Sequence, residues 1–225
     1  MTKIDELRKA LSLRKEGKSY SQIKEELQIS KSTLSRWLRK IPLTKIQIEK
    51  LQNGNQERIE KFIQTMRLKR EERLNQYYLQ EKVKILPLST KELYLSGIFL
   101  YWGEGNKTSR SSISVSNTDP EVLKFTIFWM IRSLNIKKEK IKIYLHLYSD
   151  MNIKKEMYYW GGQLNIDLKY FSKPYIKTTN KASIDQKGFG HGTCTVVYNN
   201  TQLKETLLMS IKTISDFFGG KIRSI

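Results

Sequence analysis

Leu95-Ser96-Gly97-Ile98-Phe99-Leu100-Tyr101-Trp102-Gly103-Glu104-Gly105 is the stretch on which the fold turns. It is apolar almost throughout, stops at Gly-Glu-Gly, and is preceded by Ser89 with Glu92 three residues later, a capping box that starts a helix on Leu93. Asn106-Lys107 and a Ser-rich segment follow, and Ser112-Ile113-Ser114-Val115-Ser116-Asn117-Thr118-Asp119-Pro120 reads as a strand running into a helix N-cap. Glu121 to Leu134 is amphipathic and ends at Asn135. Ile141, Ile143, Leu145 and Leu147 then alternate with Lys142, Tyr144, His146 and Tyr148, which gives one face for a core and one polar, aromatic and basic face. A helix over Asn152–Asn165, strands over Tyr170–Thr178 and Thr193–Tyr198, and a last helix over Thr201–Phe217 complete an α+β domain from residue 89 to 225 with an antiparallel sheet.

Toward the amino terminus, Ile4, Leu7, Leu11 and Leu13 recur at near-helical spacing, and Gly17 stops that helix. A second short helix opens at Ser19 or Tyr20 with Ile23 and Leu27 inward. Gln28-Ile29-Ser30 makes a tight turn, and Ser30 caps a third helix with Leu34, Trp37 and Leu38 inward. Residues 1–42 form this all-helical unit. From Thr44 to about Lys84 the chain reads as a long polar helix, interrupted at most by Asn53-Gly54-Asn55 and closed by Pro87, so residues 43–88 form a connector. Arg67-Leu68-Lys69-Arg70-Glu71-Glu72-Arg73 within it could track phosphates or be a solvated helix face.

The formal charge is +19, from 41 Lys and Arg against 22 Asp and Glu. The surplus is spread along the chain: residues 1–90 carry 21 basic and 11 acidic side chains, and residues 91–225 carry 20 and 11. A polyanion suits both parts, and double-stranded DNA is the expected partner. The longest apolar run, Leu93 to Gly103, is too short to span a bilayer, and the first residues lack a signal pattern, so a cytoplasmic protein with no membrane partner is expected. Cys194, the single cysteine, excludes an intrachain disulfide and a multi-Cys zinc site, and fits a small buried apolar position better than a nucleophile.

Tyr20 to Leu38 resembles the helix-turn-helix of resolvases and transposases, over residues 4–40, although Lys24 and Gln28 stand where that pattern carries a small residue and a glycine. The resemblance implies a third helix in the major groove, with Lys31, Ser32, Thr33, Ser35, Arg36 and Arg39 as candidates for base edges and phosphates. A solvated basic helix is the plain alternative. The acid constellation or Ser/Arg domain of a transposase or resolvase is not found here.

Residues 89–218 resemble the LAGLIDADG homing endonuclease family, through the apolar helix ending in Gly103-Glu104-Gly105 and the strand, Asn-Thr-Asp-Pro and helix after it. Two residues more than usual separate Leu95-Ser96-Gly97 from Gly103-Glu104-Gly105, yet Leu93, Gly97, Leu100 or Tyr101 and Glu104 still recur on one stripe. The resemblance implies that Glu104 is catalytic and holds a divalent metal, Mg2+. It also implies basic groups, Lys107 or Lys173, that stabilise the phosphate, and a sheet saddle on DNA with Lys142, Tyr144, Lys173, Lys177 and Thr195 as contacts. Each chain supplies one motif, so the enzyme requires a homodimer joined through Leu93, Gly97, Leu100 and Tyr101. The expected activity is sequence-specific, metal-assisted hydrolysis of both DNA strands. The alternative is a catalytically inactive LAGLIDADG-like regulator of transcription or recombination, as in some sporulation regulators, with Glu104 a plain helix-end carboxylate.

Overall fold

The structure, a computed structural model, describes residues 3–51, 54–179 and 190–222, so Asn53 lies outside the described residues. The chain divides into two compact units, Met1–Leu86 and Pro87–Ile225. The class is α+β, and no described helix is long and apolar enough to cross a membrane.

In the first unit, α1 (Lys3–Lys15), α2 (Tyr20–Leu27) and α3 (Lys31–Leu38) close on a core of Ala10, Ile23, Ile29, Leu34 and Leu38. Local chemistry sets their limits. Gly17 takes a φ of 98°, and Ser19 and Gln22 bond reciprocally in a capping box at the start of α2. Gln28 adopts the left-handed conformation at φ 55°, the role a glycine usually fills, and its Nε2 donates to the Glu25 carbonyl at 2.8 Å. Ser30 caps α3 by accepting from the Thr33 N–H at 3.2 Å. Lys24 points to solvent, so its length does not disturb the packing. On α1 the buried face belongs to Ala10 and Arg14, while Ile4 in the first turn is exposed.

Arg14 is the unexpected core residue. Its guanidinium bonds both carboxylate oxygens of Glu60, at 3.0 and 2.9 Å, and donates to the carbonyls of Ile41 and Lys18. Glu60 belongs to α5 (Gly54–Ile85), which follows the short α4 (Lys45–Glu49). Gln56 and Gln64 add bonds from α5 to Ser19 and to the Leu43 carbonyl. The first turns of α5 are thus fastened to α1 and α2, whereas nearly all side chains beyond Arg67 are exposed.

In the second unit, α6 (Thr90–Glu104), α7 (Pro120–Arg132) and α9 (Thr201–Ile222) pack on a sheet of β1 (Ser112–Asn117), β2 (Lys142–Tyr148), β3 (Tyr175–Lys177) and β4 (Thr193–Asn199), with α8 (Ile153–Leu164) against α7. The Ser89–Glu92 capping box is formed, at 2.7 and 3.2 Å. Strand order is β1-β4-β2-β3. Ser112 pairs with Asn199 and Lys142 with Val197 in antiparallel register, but His146 pairs with Tyr175 in parallel. The sheet is therefore mixed, not antiparallel, because α8 carries the chain back to the start of β2 before β3 begins. Ile113, Val115, Ile143, Leu145, Leu147, Cys194 and Val196 meet Trp129, Trp160 and Leu207 in one core. Burial pushes the Cys194 thiol far up, as suits a packing residue.

Gly97 decides which way α6 faces. A Cβ there would lie 2.0 Å from the Trp129 indole of α7, so the missing side chain is the seat of Trp129. Tyr101, one turn on, is fully buried. Both residues, expected on a surface shared with a second copy, serve the chain's own core instead. A helix apolar on all sides has no stripe to announce its inner face. The outward face that remains is Phe99, Trp102 and Gly103, with Leu93, Ser96 and Leu100 half-buried.

Candidate nucleic-acid interface

On α3, Lys31, Ser32, Ser35, Arg36 and Arg39 are exposed, and none of the three cations has an acidic partner among the described residues. Thr33 differs. It is half-buried, and its hydroxyl accepts from Ser30 Oγ at 2.9 Å, so it belongs to the helix cap. The Ser32 hydroxyl also lies 3.0 Å from Ser30 Oγ. Free hydrogen-bonding capacity on this face therefore rests with Lys31, Ser35, Arg36 and Arg39.

In the second unit the sheet face opposite the hydrophobic core carries the even positions of β1 and β2 and the odd positions of β4, because side chains alternate across a strand. Tyr144, His146, Lys173, Tyr175 and Thr195 border one hollow of about 340 Å3 on this face. Lys142 is next to Tyr144 on the same side, with its ammonium 5.9 Å from the Tyr170 ring. Thr195 is buried, and its hydroxyl lies 2.7 Å from Ser116 Oγ. Lys177 lies at the β3 edge, 4.9 Å over the Tyr148 ring. Tyr148, at an even position on the same face, is buried, with the Lys177 ammonium over its ring. Burial first, and the Lys177 charge second, hold the His146 imidazole below its ordinary pKa.

Glu104, the last residue of α6, is exposed and forms no ion pair or hydrogen bond among the described residues. The turn after it is tightly built. Gly105 pairs with Val115, the Asn106 N–H donates to the Ser114 carbonyl at 2.9 Å, and Asn106 Oδ1 accepts from the backbone of Thr108 and Ser109. This joins Glu104 to the β1 edge of the sheet. A Cβ at Gly105 would strike the Tyr101 ring, 2.3 Å away, so glycine is required there for space. The Lys107 ammonium donates to the Trp102 carbonyl at 2.9 Å, a cation at the negative end of α6. Lys107 thus stands near Glu104, while Lys173 belongs to the sheet hollow with Tyr144 and Thr195.

Lys204 is the residue that sequence reasoning missed. It is wholly buried on α9, and its ammonium donates to the Tyr101 hydroxyl and the Asn106 carbonyl. Burial, with Lys107 nearby, holds its pKa below the usual lysine range, and burial raises the Tyr101 phenol to about 12. The signal was present in the sequence, since Lys204 shares a helical stripe with Leu207 and Ile211 and so occupies an inward position. Among the described residues no three His, Cys, Asp or Glu side chains gather as a metal site.

The chain matches no protein-family model, no curated protein and no solved structure.

Proposed function

We propose that this protein is a cytoplasmic double-stranded DNA-binding protein of LAGLIDADG-like type, which pairs along α6 into a homodimer and hydrolyses both DNA strands. The α3 face, read as the recognition helix of a helix-turn-helix, and the open sheet face supply cationic, hydroxyl and aromatic groups suited to phosphates and base edges. The observation that carries the catalytic reading is Glu104, a carboxylate without a partner among the described residues, at the end of a helix that exposes Phe99 and Trp102 in its last two turns. Pairing of two such faces would bring two Glu104 side chains toward one another. Mg2+ held there would polarise the scissile phosphodiester, and Lys107 would offset charge on the phosphate.

A regulator that binds DNA without cutting it is the second reading, favoured by Phe99 and Trp102. These bulky rings stack at 6.2 Å on the outward face of α6 and would hold a second helix farther off than small residues would. The separating experiment is incubation of wild type and Glu104→Gln with a plasmid library that includes the DNA flanking the gene, with and without Mg2+. Metal-dependent cuts that Glu104→Gln abolishes, with DNA binding retained, establish the nuclease. No cuts from wild type under any divalent metal, with binding retained, establish the regulator.

A further inference from the structure

A cleft of about 720 Å3 opens between α3 and the middle of α5. Its apolar lining is buried Leu43 and Ile48 and half-buried Ile63, with exposed Met66 beside them. Its rim is cationic: Arg39 and Lys40 follow α3 on one wall, and Arg67 and Arg70 rise from α5 on the other. Arg14 and Glu60 also face the cleft but neutralise each other at 2.9 Å. Glu71 bonds Arg67 Nε at 2.9 Å across an exposed helix face, which leaves Arg39, Lys40 and Arg70 without an acidic partner among the described residues.

The direction of the cleft adds to its charge. Ser35 lines it, and with Lys31 also lines an adjoining hollow of about 200 Å3 against Gln56, Ile59 and Ile63 of α5. α5 therefore runs beside the Lys31–Ser35–Arg39 flank of α3, while Ser32 and Arg36 line neither hollow. A helix lying in a major groove, roughly 12 Å wide, has a sugar-phosphate strand on either side. An element beside one flank of that helix meets one of those strands.

We propose that one phosphodiester strand of duplex DNA lies in this cleft, between Arg39 and Lys40 on one wall and Arg67 and Arg70 on the other. α5 is then part of the DNA-binding surface, and its buried Arg14–Glu60 pair fixes the width of the cleft. The proposal rests on the reading of α3 as a groove helix. Arginine forks match phosphate oxygens, and the Arg67–Glu71 pair is exposed and weak enough to exchange for a phosphate. Such contacts position the duplex without reading its sequence.

The test is fluorescence anisotropy of the full-length protein on a labelled random-sequence duplex across a series of salt concentrations. Arg70→Ala should lower the slope of log Kobs against log[salt] by about 1, and Arg39→Ala/Arg70→Ala by about 2. Arg70→Lys should restore the wild-type slope, since it keeps the charge. Arg70 is exposed, and unchanged circular dichroism checks that the helix survives. A wild-type slope in Arg70→Ala, with binding weakened in Arg36→Ala, overturns the proposal, spares the groove-helix reading and leaves the cleft to an acidic protein segment. Wild-type affinity in both Lys31→Ala and Arg36→Ala overturns the reading of α3, and the proposal falls with it.

Discussion

The indole of Trp129 occupies the space that a side chain at Gly97 would fill. Gly97→Ala should therefore act within the chain, forcing Trp129 out of the core of the second unit. An added methyl group 2.0 Å from a packed ring calls for backbone movement, and the expected loss is about 3 kcal/mol. Urea unfolding followed by tryptophan fluorescence measures it. A variant as stable as wild type but monomeric at concentrations where wild type is dimeric would return Gly97 to the dimer surface.

The Arg14–Glu60 pair predicts a second loss, confined to the first unit. Glu60→Gln leaves a buried guanidinium without its countercharge, and breaking one partner of a buried pair costs about 3–5 kcal/mol. Hydrogen exchange should show α1 and the first turns of α5 losing protection together, while β1, β4 and α7 keep theirs. Equal loss in both units would mean that the pair does not act locally.

His146 predicts a pH dependence. Its imidazole is held below its ordinary pKa, so between that lowered value and the unfolded value the unfolded chain binds more protons than the native one. Stability should fall as pH drops below the unfolded imidazole value of about 6.5, and His146→Gln should reduce that fall. Phosphates placed on the sheet face favour the protonated ring, so DNA affinity should rise over the same window at fixed salt. A pH profile unchanged by His146→Gln, in both stability and binding, would exclude this role.

The hydrogen bonds on α3 separate two neighbours. Arg36→Ala should weaken DNA binding roughly tenfold or more, since Arg36 points outward with no acidic partner among the described residues. Thr33→Ala should leave affinity within about twofold and lower stability instead, because the Thr33 hydroxyl serves the Ser30 cap. Anisotropy titrations at matched salt, paired with thermal unfolding, distinguish them. Reversed ranking would move the contact surface to the start of the helix.

Short-range chemistry was legible along the chain. Ser89 with Glu92, Ser30 before Leu34, and the alternation from Ile141 to Leu147 each specify an element through partners a few residues away, and each appears in the structure. Glu104 was legible as a helix end because glycines flank it. The cationic face of α3 could be read the same way, since Leu34 and Leu38 mark its opposite side.

Tertiary structure alone decided the rest. Helix α6 is apolar all round, so periodicity left its inner face open until Trp129 filled the space at Gly97. Arg14 finds Glu60 across 46 positions, and Lys204 reaches the Asn106 carbonyl across 98, pairings that a local pattern does not specify. The parallel pairing of β3 likewise follows from how far α8 carries the chain before β3 begins. Sequence by itself determined where the charge lies and most segments that become helix or strand, although the strand expected over Tyr170–Thr178 shortens to Tyr175–Lys177 and the helix expected from Thr44 is split into α4 and α5. Packing determined which side of each segment is inside, because that depends on partners brought together only when the whole chain closes.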